Sequence, residues 1–328
     1  MIPTTRVFPM RRIAAAVFIP LIATAALAGC GSSSPSAAAN PNTAVSVSGS
    51  FGKAPVVKIP AQKAGASLAV KTEISGTGPV LGKTDAFVGN YVVYIWSGTK
   101  HKLALSTYAQ APQVLSGTLL PGLESALRGK KMGSRVLAVL PPKDAYGKTG
   151  NSQVGVKATD TLIFVVDMIK DFPATASASG PQVSNGGHGL PTVSATAGAA
   201  PTVKIPSTSP PKNLVVKTLI KGTGAPLAKG QEVITQYVGV LYRTGKPFDS
   251  SWSRGAPFGF ELDATPAQII PGWDKGLVGV PIGSRVMLVI PPADGYGKTG
   301  NSSAGIKGTD TLVFVVDILG AVNGATAS

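Results

Sequence analysis

The sequence predicts an α+β protein of two tandem domains, each an antiparallel β-sheet with one short helix, and three observations predict it. The first is a long internal repeat. Lys148-Thr-Gly-Asn-Ser and Thr159-Asp-Thr-Leu through Phe164-Val-Val-Asp167 return as Lys298-Thr-Gly-Asn-Ser and Thr309-Asp-Thr-Leu through Phe314-Val-Val-Asp317, an offset of 150 residues. Upstream, Gly76-Thr-Gly and Tyr91 return as Gly222-Thr-Gly and Tyr237 at an offset of 146, so the first copy is four residues shorter between Tyr91 and Pro121. A period this long means tandem domains, because solenoid repeats run about 20 to 50 residues. The second observation is a set of β-branched runs of strand length, and the third is a single helix signal at Pro271.

The N-terminus comes first in chain order. Arg6, Arg11 and Arg12 precede an apolar run from Ile13 to Leu27 that closes on Leu27-Ala-Gly-Cys30. A basic n-region, a short apolar h-region and small residues at the cut describe a secretory signal peptide over 1–29. The run is shorter than the ~20 residues that a spanning helix needs. Leu-Ala-Gly-Cys resembles the lipobox of bacterial lipoproteins, which implies that Cys30 is acylated and tethers the chain to the membrane. Cys30 is the chain's only cysteine, so no intramolecular disulfide is available to an exported protein that would otherwise use one.

Residues 30–53 read as a flexible tether, 54–172 as the first domain, 173–200 as a disordered linker, 201–321 as the second domain and 322–328 as a tail. The linker and tether are Ala, Ser, Gly and Pro with no apolar period. Within the second domain, Val233 to Leu241 alternates, Val286 to Ile290 and Leu312 to Ile318 are β-branched runs, and Phe258 to Leu262 places two phenylalanines on one face. Pro271 opens a helix with Trp273 and Leu277 on one side at i, i+4. Ala293 to Gly308 is glycine-rich and reads as a long loop.

Net charge is +15, or +12 without the three leader arginines. Basic residues are not interleaved with aromatics, which argues against nucleic-acid binding; an exported basic chain meets anionic lipid and wall polymers instead. The two histidines, His101 and His188, offer no framework for a catalytic triad or a metal site. Gly147-Lys-Thr149 and Gly297-Lys-Thr299 lack the glycine that a phosphate loop needs five residues earlier, where Pro142 and Pro292 stand.

In the second copy, Tyr237-Val-Gly239, Phe248-Asp-Ser-Ser251, Arg254, Pro257-Phe258, Ile269-Ile270-Pro-Gly-Trp273, Pro291-Pro292, Tyr296-Gly297 and Thr311-Leu-Val-Phe314 fall in one order. That order resembles the FKBP-type peptidyl-prolyl cis-trans isomerases across nearly all of Leu214 to Leu319. The resemblance implies a twisted antiparallel β-sheet wrapped round a short α-helix. It also implies Trp273 as the floor of a proline pocket, with Tyr237, Phe248, Phe258 and Phe314 as its walls. Ile269 and Ile270 match the substrate-binding edge, and Tyr296 and Ile306 match loop residues that overhang it. Asp249 matches the acid beside the reacting carbonyl, and Arg254 the group that orients it. Phe260 has no such match and reads as core.

Such a site fits the chemistry. An X-Pro bond rotates against a barrier of ~18 to 20 kcal/mol because twisting removes amide resonance. No covalent bond breaks, so neither cofactor nor metal is called for, and the partners are proline-containing polypeptides. The first copy departs at this site. Tyr91, Tyr146 and Phe164 persist, but Leu123 stands for Trp273, Leu103-Ala-Leu-Ser106 stands for Phe-Asp-Ser-Ser, and no arginine follows. The first domain is therefore expected to keep the fold with a weak or absent site. A non-catalytic client-binding lipoprotein and a wall-associated structural protein are the alternatives to an isomerase. Phe172-Pro173 and Leu190-Pro191 are apolar-X-Pro pairs that a flexible tether would present to the pocket.

Overall fold

The computed structural model describes residues 40–323, so the expected signal peptide, Cys30, the start of the tether and the end of the tail lie outside the described residues. The first repeat contains β1 (Ser46–Ser48), β2 (Val56–Lys58), β3 (Ala69–Ile74), β4 (Ala86–Ser97), β5 (Lys100–Ser106), β6 (Gln113–Leu115), α1 (Pro121–Leu127), β7 (Arg135–Leu140) and β8 (Thr161–Phe172). The second contains β9 (Thr192–Ser194), β10 (Thr202–Lys204), β11 (Val215–Ile220), β12 (Gln231–Leu241), β13 (Pro247–Ser250), α2 (Ser251–Arg254), β14 (Phe258–Glu261), α3 (Pro271–Leu277), β15 (Arg285–Ile290) and β16 (Leu312–Asn323).

The two main sheets share one topology, β3-β7-β8-β4-β5 with β6 also on β4, and β11-β15-β16-β12-β13 with β14 also on β12. Every pairing is antiparallel. Strand alternation sorts the side chains of β12: Val233, Tyr237 and Leu241 face the helix, while Val238 and Val240 face the other side. All six residues of β15 are buried because both faces of that strand are covered.

Helix α3 starts where Pro271 predicts, with proline at a position whose N–H needs no partner. Its buried face is Gly272, Trp273, Gly276 and Leu277. A methyl group on Gly272 would stand 2.6 Å from Ile290, so glycine there lets the helix lie close on β15. Burial of a side chain such as Leu277 contributes about 1.5 to 3 kcal/mol.

The expected disorder of 173–200 is corrected by the structure, and so is much of the 30–53 tether. β9 and β10 pair as a hairpin, Ser179 and Val183 donate backbone N–H bonds to Gly283 and Leu219, and Lys221 donates to Pro181. Val193, Leu190, Val203 and Ile205 cover the sheet face opposite the helix. The β1–β2 hairpin does the same in the first repeat, where Val45, Val47, Val57 and Ile59 join the corresponding cluster. Val57-Lys-Ile-Pro60 and Val203-Lys-Ile-Pro206 thus extend the repeat upstream. A segment poor in apolar residues is ordered here because the sheet supplies the surface that it lacks. Phe172 is buried and Leu190 packs on the sheet, so these proline pairs belong to the packed segment and are not loose bait.

A buried ion pair sits beneath each hairpin. Arg135 binds Asp167 at 2.6 and 2.7 Å, and Arg285 binds Asp317 at 2.5 and 2.6 Å. The spare donors of Arg135 reach the carbonyls of Gly49, Ser50 and Lys53, and Gly52 N–H donates to Asp167 as Ala178 N–H donates to Asp317 in the second repeat. Ala293–Gly308 is more structured than a plain loop. It holds short 3-10 turns, and Asn301 and Ile306 exchange backbone hydrogen bonds. The repeats meet through Ala86, Val88, Phe172 and Ile234, joined by Val114, Leu319 and Val322. Among the described residues no helix is long and apolar enough to cross a membrane, and no group of three or more His, Cys, Asp or Glu is placed to hold a metal ion.

Candidate functional site

Tyr237 lies in the middle of β12, facing the helix, and the ladder places Asp249 of β13 opposite Gly239. Ser250 caps the turn of α2 by accepting the Ser253 N–H, and Gly255 ends it with a φ of 71°. That single turn carries Arg254 back over β12. The Tyr237 hydroxyl donates to Asp249 Oδ2 at 2.5 Å, Arg254 Nη1 donates to Asp249 Oδ1, and Arg254 Nη2 donates to the Tyr237 hydroxyl at 2.7 Å. The guanidinium also sits 5.3 Å from the Tyr237 ring centroid.

Both oxygens of Asp249 therefore accept hydrogen bonds, which hold the carboxylate in one orientation. Burial, then the bond to Asp249, pushes the Tyr237 hydroxyl well above its usual range, with Arg254 pulling the other way. Burial alone would lower the Arg254 guanidinium, but Tyr237 and Asp249 raise it. Tyr237 and Arg254 therefore both keep their protons near neutrality.

Beneath the cluster, α3 presents Trp273, 3 % exposed. Its ring meets Tyr237 at 5.2 Å and 89°, Phe314 at 5.2 Å and 88°, and Phe260 at 5.4 Å and 71°. Phe248 meets Phe314 edge-on at 5.4 Å, and Phe258 meets Tyr237 at 5.7 Å. Edge-to-face pairs of this kind are worth about 0.5 to 1.5 kcal/mol each beyond area burial. The indole N–H is buried with no hydrogen-bond partner among the described residues, so ring shape and not the donor fixes this residue in place. Gly239 makes room for the rings, since a methyl group there would lie 2.8 Å from both Phe248 and Phe314.

The structure thus brings together Tyr237, Phe248, Phe258, Trp273 and Phe314, with Asp249 and Arg254 at the exposed rim. Ile269, Ile270 and Tyr296 are half-buried against the same cluster. Burial raises the Tyr296 hydroxyl, a side-chain bond from Asn301 lowers it, and the Asp249 charge raises it further. Ile306 differs from its expected place. It is 4 % exposed and packs in the same cluster as Trp273 and Phe314 instead of standing out from the rim, with its backbone held by the two bonds that it exchanges with Asn301. Phe260 is core as expected, though it also touches Trp273. Sequence reasoning passed over Gln236, which is fully buried behind Tyr237, and Trp252, which packs on the hairpin side of the sheet. Gln236 carries no sequence signal, since a polar residue in an alternating strand reads as solvent-facing.

In the first repeat the register corrects the linear match. Val92 pairs with Ser106 as Val238 pairs with Ser250, so Ala104 takes the place of Phe248 and Leu105 that of Asp249. The β4–β5 hairpin as a whole is longer, since Tyr94 pairs with Leu103 where Val240 pairs with Pro247, and this moves the match. Gln113 stands at the ladder position of Phe258, and Val93 fills the space that Gly239 leaves open. Among the described residues no carboxylate or guanidinium hydrogen-bonds the Tyr91 hydroxyl.

A family model described as FKBP-type peptidyl-prolyl cis-trans isomerase matches residues 82–169 and 224–319, one segment in each repeat. The chain is 41 % identical to a FK506-binding protein of Streptomyces anulatus over 119 residues, 36 % of this chain and 94 % of that protein. It is 40 % identical to a probable FK506-binding protein of Corynebacterium glutamicum over 121 residues, 37 % of this chain and 98 % of that one. The crystal structure of FkpA from Escherichia coli aligns with 38 % identity over 38 % of this chain and 53 % of that chain, at a TM-score of 0.31.

Proposed function

We propose, since the chain belongs to the FKBP-type peptidyl-prolyl cis-trans isomerase family, that its isomerase activity resides in the second domain and serves exported polypeptides. The observation that carries this reading is that Phe248, Asp249 and Trp273 gather round Tyr237 with Arg254 in the second repeat, while Ala104, Leu105 and Leu123 stand for the first three in the first.

A proline ring enters the cluster of Tyr237, Phe258, Trp273 and Phe314, which excludes water from the bond that turns. The twisted amide has lost resonance and is less polar than the planar one, so a dry aromatic surround favours it over the ground state. The locked Asp249 charge acts on the dipole of the rotating carbonyl, and the Tyr296 hydroxyl holds a neighbouring carbonyl. Each tenfold in rate needs about 1.4 kcal/mol of selective stabilisation, which a few contacts supply. No proton moves, so the rate is nearly flat around neutral pH.

The sequence supports placing this activity outside the cytoplasm, on a lipid-anchored chain acylated at Cys30, where slow X-Pro bonds limit the folding of secreted chains. Replacing Cys30 by alanine moves the protein from the membrane to the soluble fraction in this reading; unchanged partitioning contradicts it. For the first domain, client binding without catalysis is favoured by Leu103 and Leu105, 52 % and 42 % exposed on edge strand β5.

The activity is tested with the full chain on a prolyl tetrapeptide, beside Asp249→Ala. A loss of about tenfold or more in kcat/KM is expected. Equal activity in both proteins would mean that the second domain is not the catalyst.

A further inference from the structure

Ala174, two residues past the end of β8, is held from both sides. Its N–H donates to Asp85 Oδ1 of the first repeat at 3.1 Å, and its carbonyl accepts Gln236 Nε2 of the second at 2.7 Å. Gln236 is fully buried, and its Oε1 accepts the Ser251 hydroxyl. The Ser251 oxygen in turn accepts the backbone N–H of Tyr237 at 2.8 Å. Ser251 also opens the turn that bears Arg254 and stands two residues from Asp249. Asp85 is itself fixed, since its other oxygen accepts the Gly82 N–H and Arg128 donates to its backbone carbonyl.

The first repeat contains only the inner half of this path. Thr107 donates to Asn90 at 3.0 Å and accepts the Tyr91 N–H at 2.9 Å, but the shorter Asn90 amide reaches no carbonyl among the described residues. The continuation to Ala174 is thus confined to the copy that has the aromatic and charged site.

We propose that Gln236 is a positioning residue through which the first domain, by way of Asp85 and Ala174, sets the placement of Tyr237, Asp249 and Arg254. This rests on the second domain being the catalyst. A buried amide with both its oxygen and its nitrogen engaged has one low-energy orientation, because any rotation strands a polar group away from water. It therefore holds β12, α2 and the connector in a single register. A displacement of the order of 1 Å among groups that stabilise a transition state costs up to about a hundredfold in rate, so a partial loosening costs less. The first domain, without a complete site of its own, then contributes to catalysis by fixing the wall against which the second domain is built.

The test uses the full chain with Gln236→Asn, Gln236→Leu and Asp85→Ala. Asn copies the first repeat: it keeps the Ser251 bond and drops Ala174. Its expected kcat on a prolyl peptide is about threefold to tenfold lower, with KM within about twofold of wild type. Asp85→Ala, far from the pocket, is expected to lower kcat in the same direction. The double variant Asp85→Ala, Gln236→Asn is expected to be no worse than Gln236→Asn, because both break one path.

Wild-type kcat in Gln236→Asn overturns the proposal, whether or not Gln236→Leu is impaired, since the amide would then serve only to seat Ser251. Additive losses in the double variant overturn it as well. Should Gln236→Leu fail to fold, the Asn and Asp85 variants still decide. A wild-type rate in Asp249→Ala, by contrast, would remove the assignment of activity to the second domain and not the path itself.

Discussion

Leu105 of β5 occupies the ladder position that Asp249 of β13 occupies in the second repeat, each next to a tyrosine on the neighbouring strand. One fold therefore carries two versions of a site within one chain, and the version proposed as the catalyst is distinguished by its charge and ring content. Removing the tyrosine hydroxyl tests the distinction. Tyr237→Phe deletes a donor to Asp249 and an acceptor for Arg254, and is expected to lower kcat/KM by about threefold to tenfold. Tyr91→Phe should leave the rate of the full chain unchanged. Equal losses would assign catalysis to both domains.

Gly239→Ala is expected to impair activity more than stability. The added methyl must displace Phe248 or Phe314, and Phe248 is half-buried and free to yield. The expected outcome is a loss of several-fold in kcat/KM, with an unfolding free energy lowered by about 1 kcal/mol or less. A large loss of stability with full activity in the folded fraction would show that the rings are fixed by core packing and not by the site.

Glu232 lies where the repeats meet and faces Glu261 directly across the β12–β14 ladder. Burial first, and then the Glu261 charge, pushes its carboxyl up to about 7, and its own charge raises the Tyr91 hydroxyl across the interface. A carboxyl raised from 4.5 binds a proton in the folded chain that the unfolded chain has already released. Its contribution is therefore fully favourable below the unfolded value, and stability falls as pH rises through about 7. Glu232→Gln is expected to abolish this fall, so that the two proteins unfold alike near pH 5 and the variant is more stable near pH 8. Parallel pH profiles in chemical unfolding would contradict it.

Much of this was legible in the sequence. The repeat, the strands and the helix at Pro271 could be read because β-branched alternation and a first-turn proline are local signals. The aromatic cluster could be read because Trp273, Phe248 and Asp249 change together between the copies. The register of the first copy could not. Leu103-Ala-Leu-Ser106 aligns with Phe-Asp-Ser-Ser by eye, but the longer paired hairpin of β4 and β5 puts each residue one position away from that match. The hairpin of 192–204 was hidden for a different reason, since its order comes from the sheet that it covers and not from its own composition. Gln236 was hidden because partners as distant as Ala174 and Ser251 leave no pattern in sequence.

Trp273→Leu writes the residue of the first copy into the second, and isomerisation of a prolyl tetrapeptide by the full-length variant measures the central claim most directly. A fall of about tenfold or more in kcat/KM, with the far-ultraviolet spectrum and the first repeat unchanged, is the predicted result. Wild-type turnover from a chain that lacks the indole would contradict an aromatic pocket in the second domain as the source of the activity.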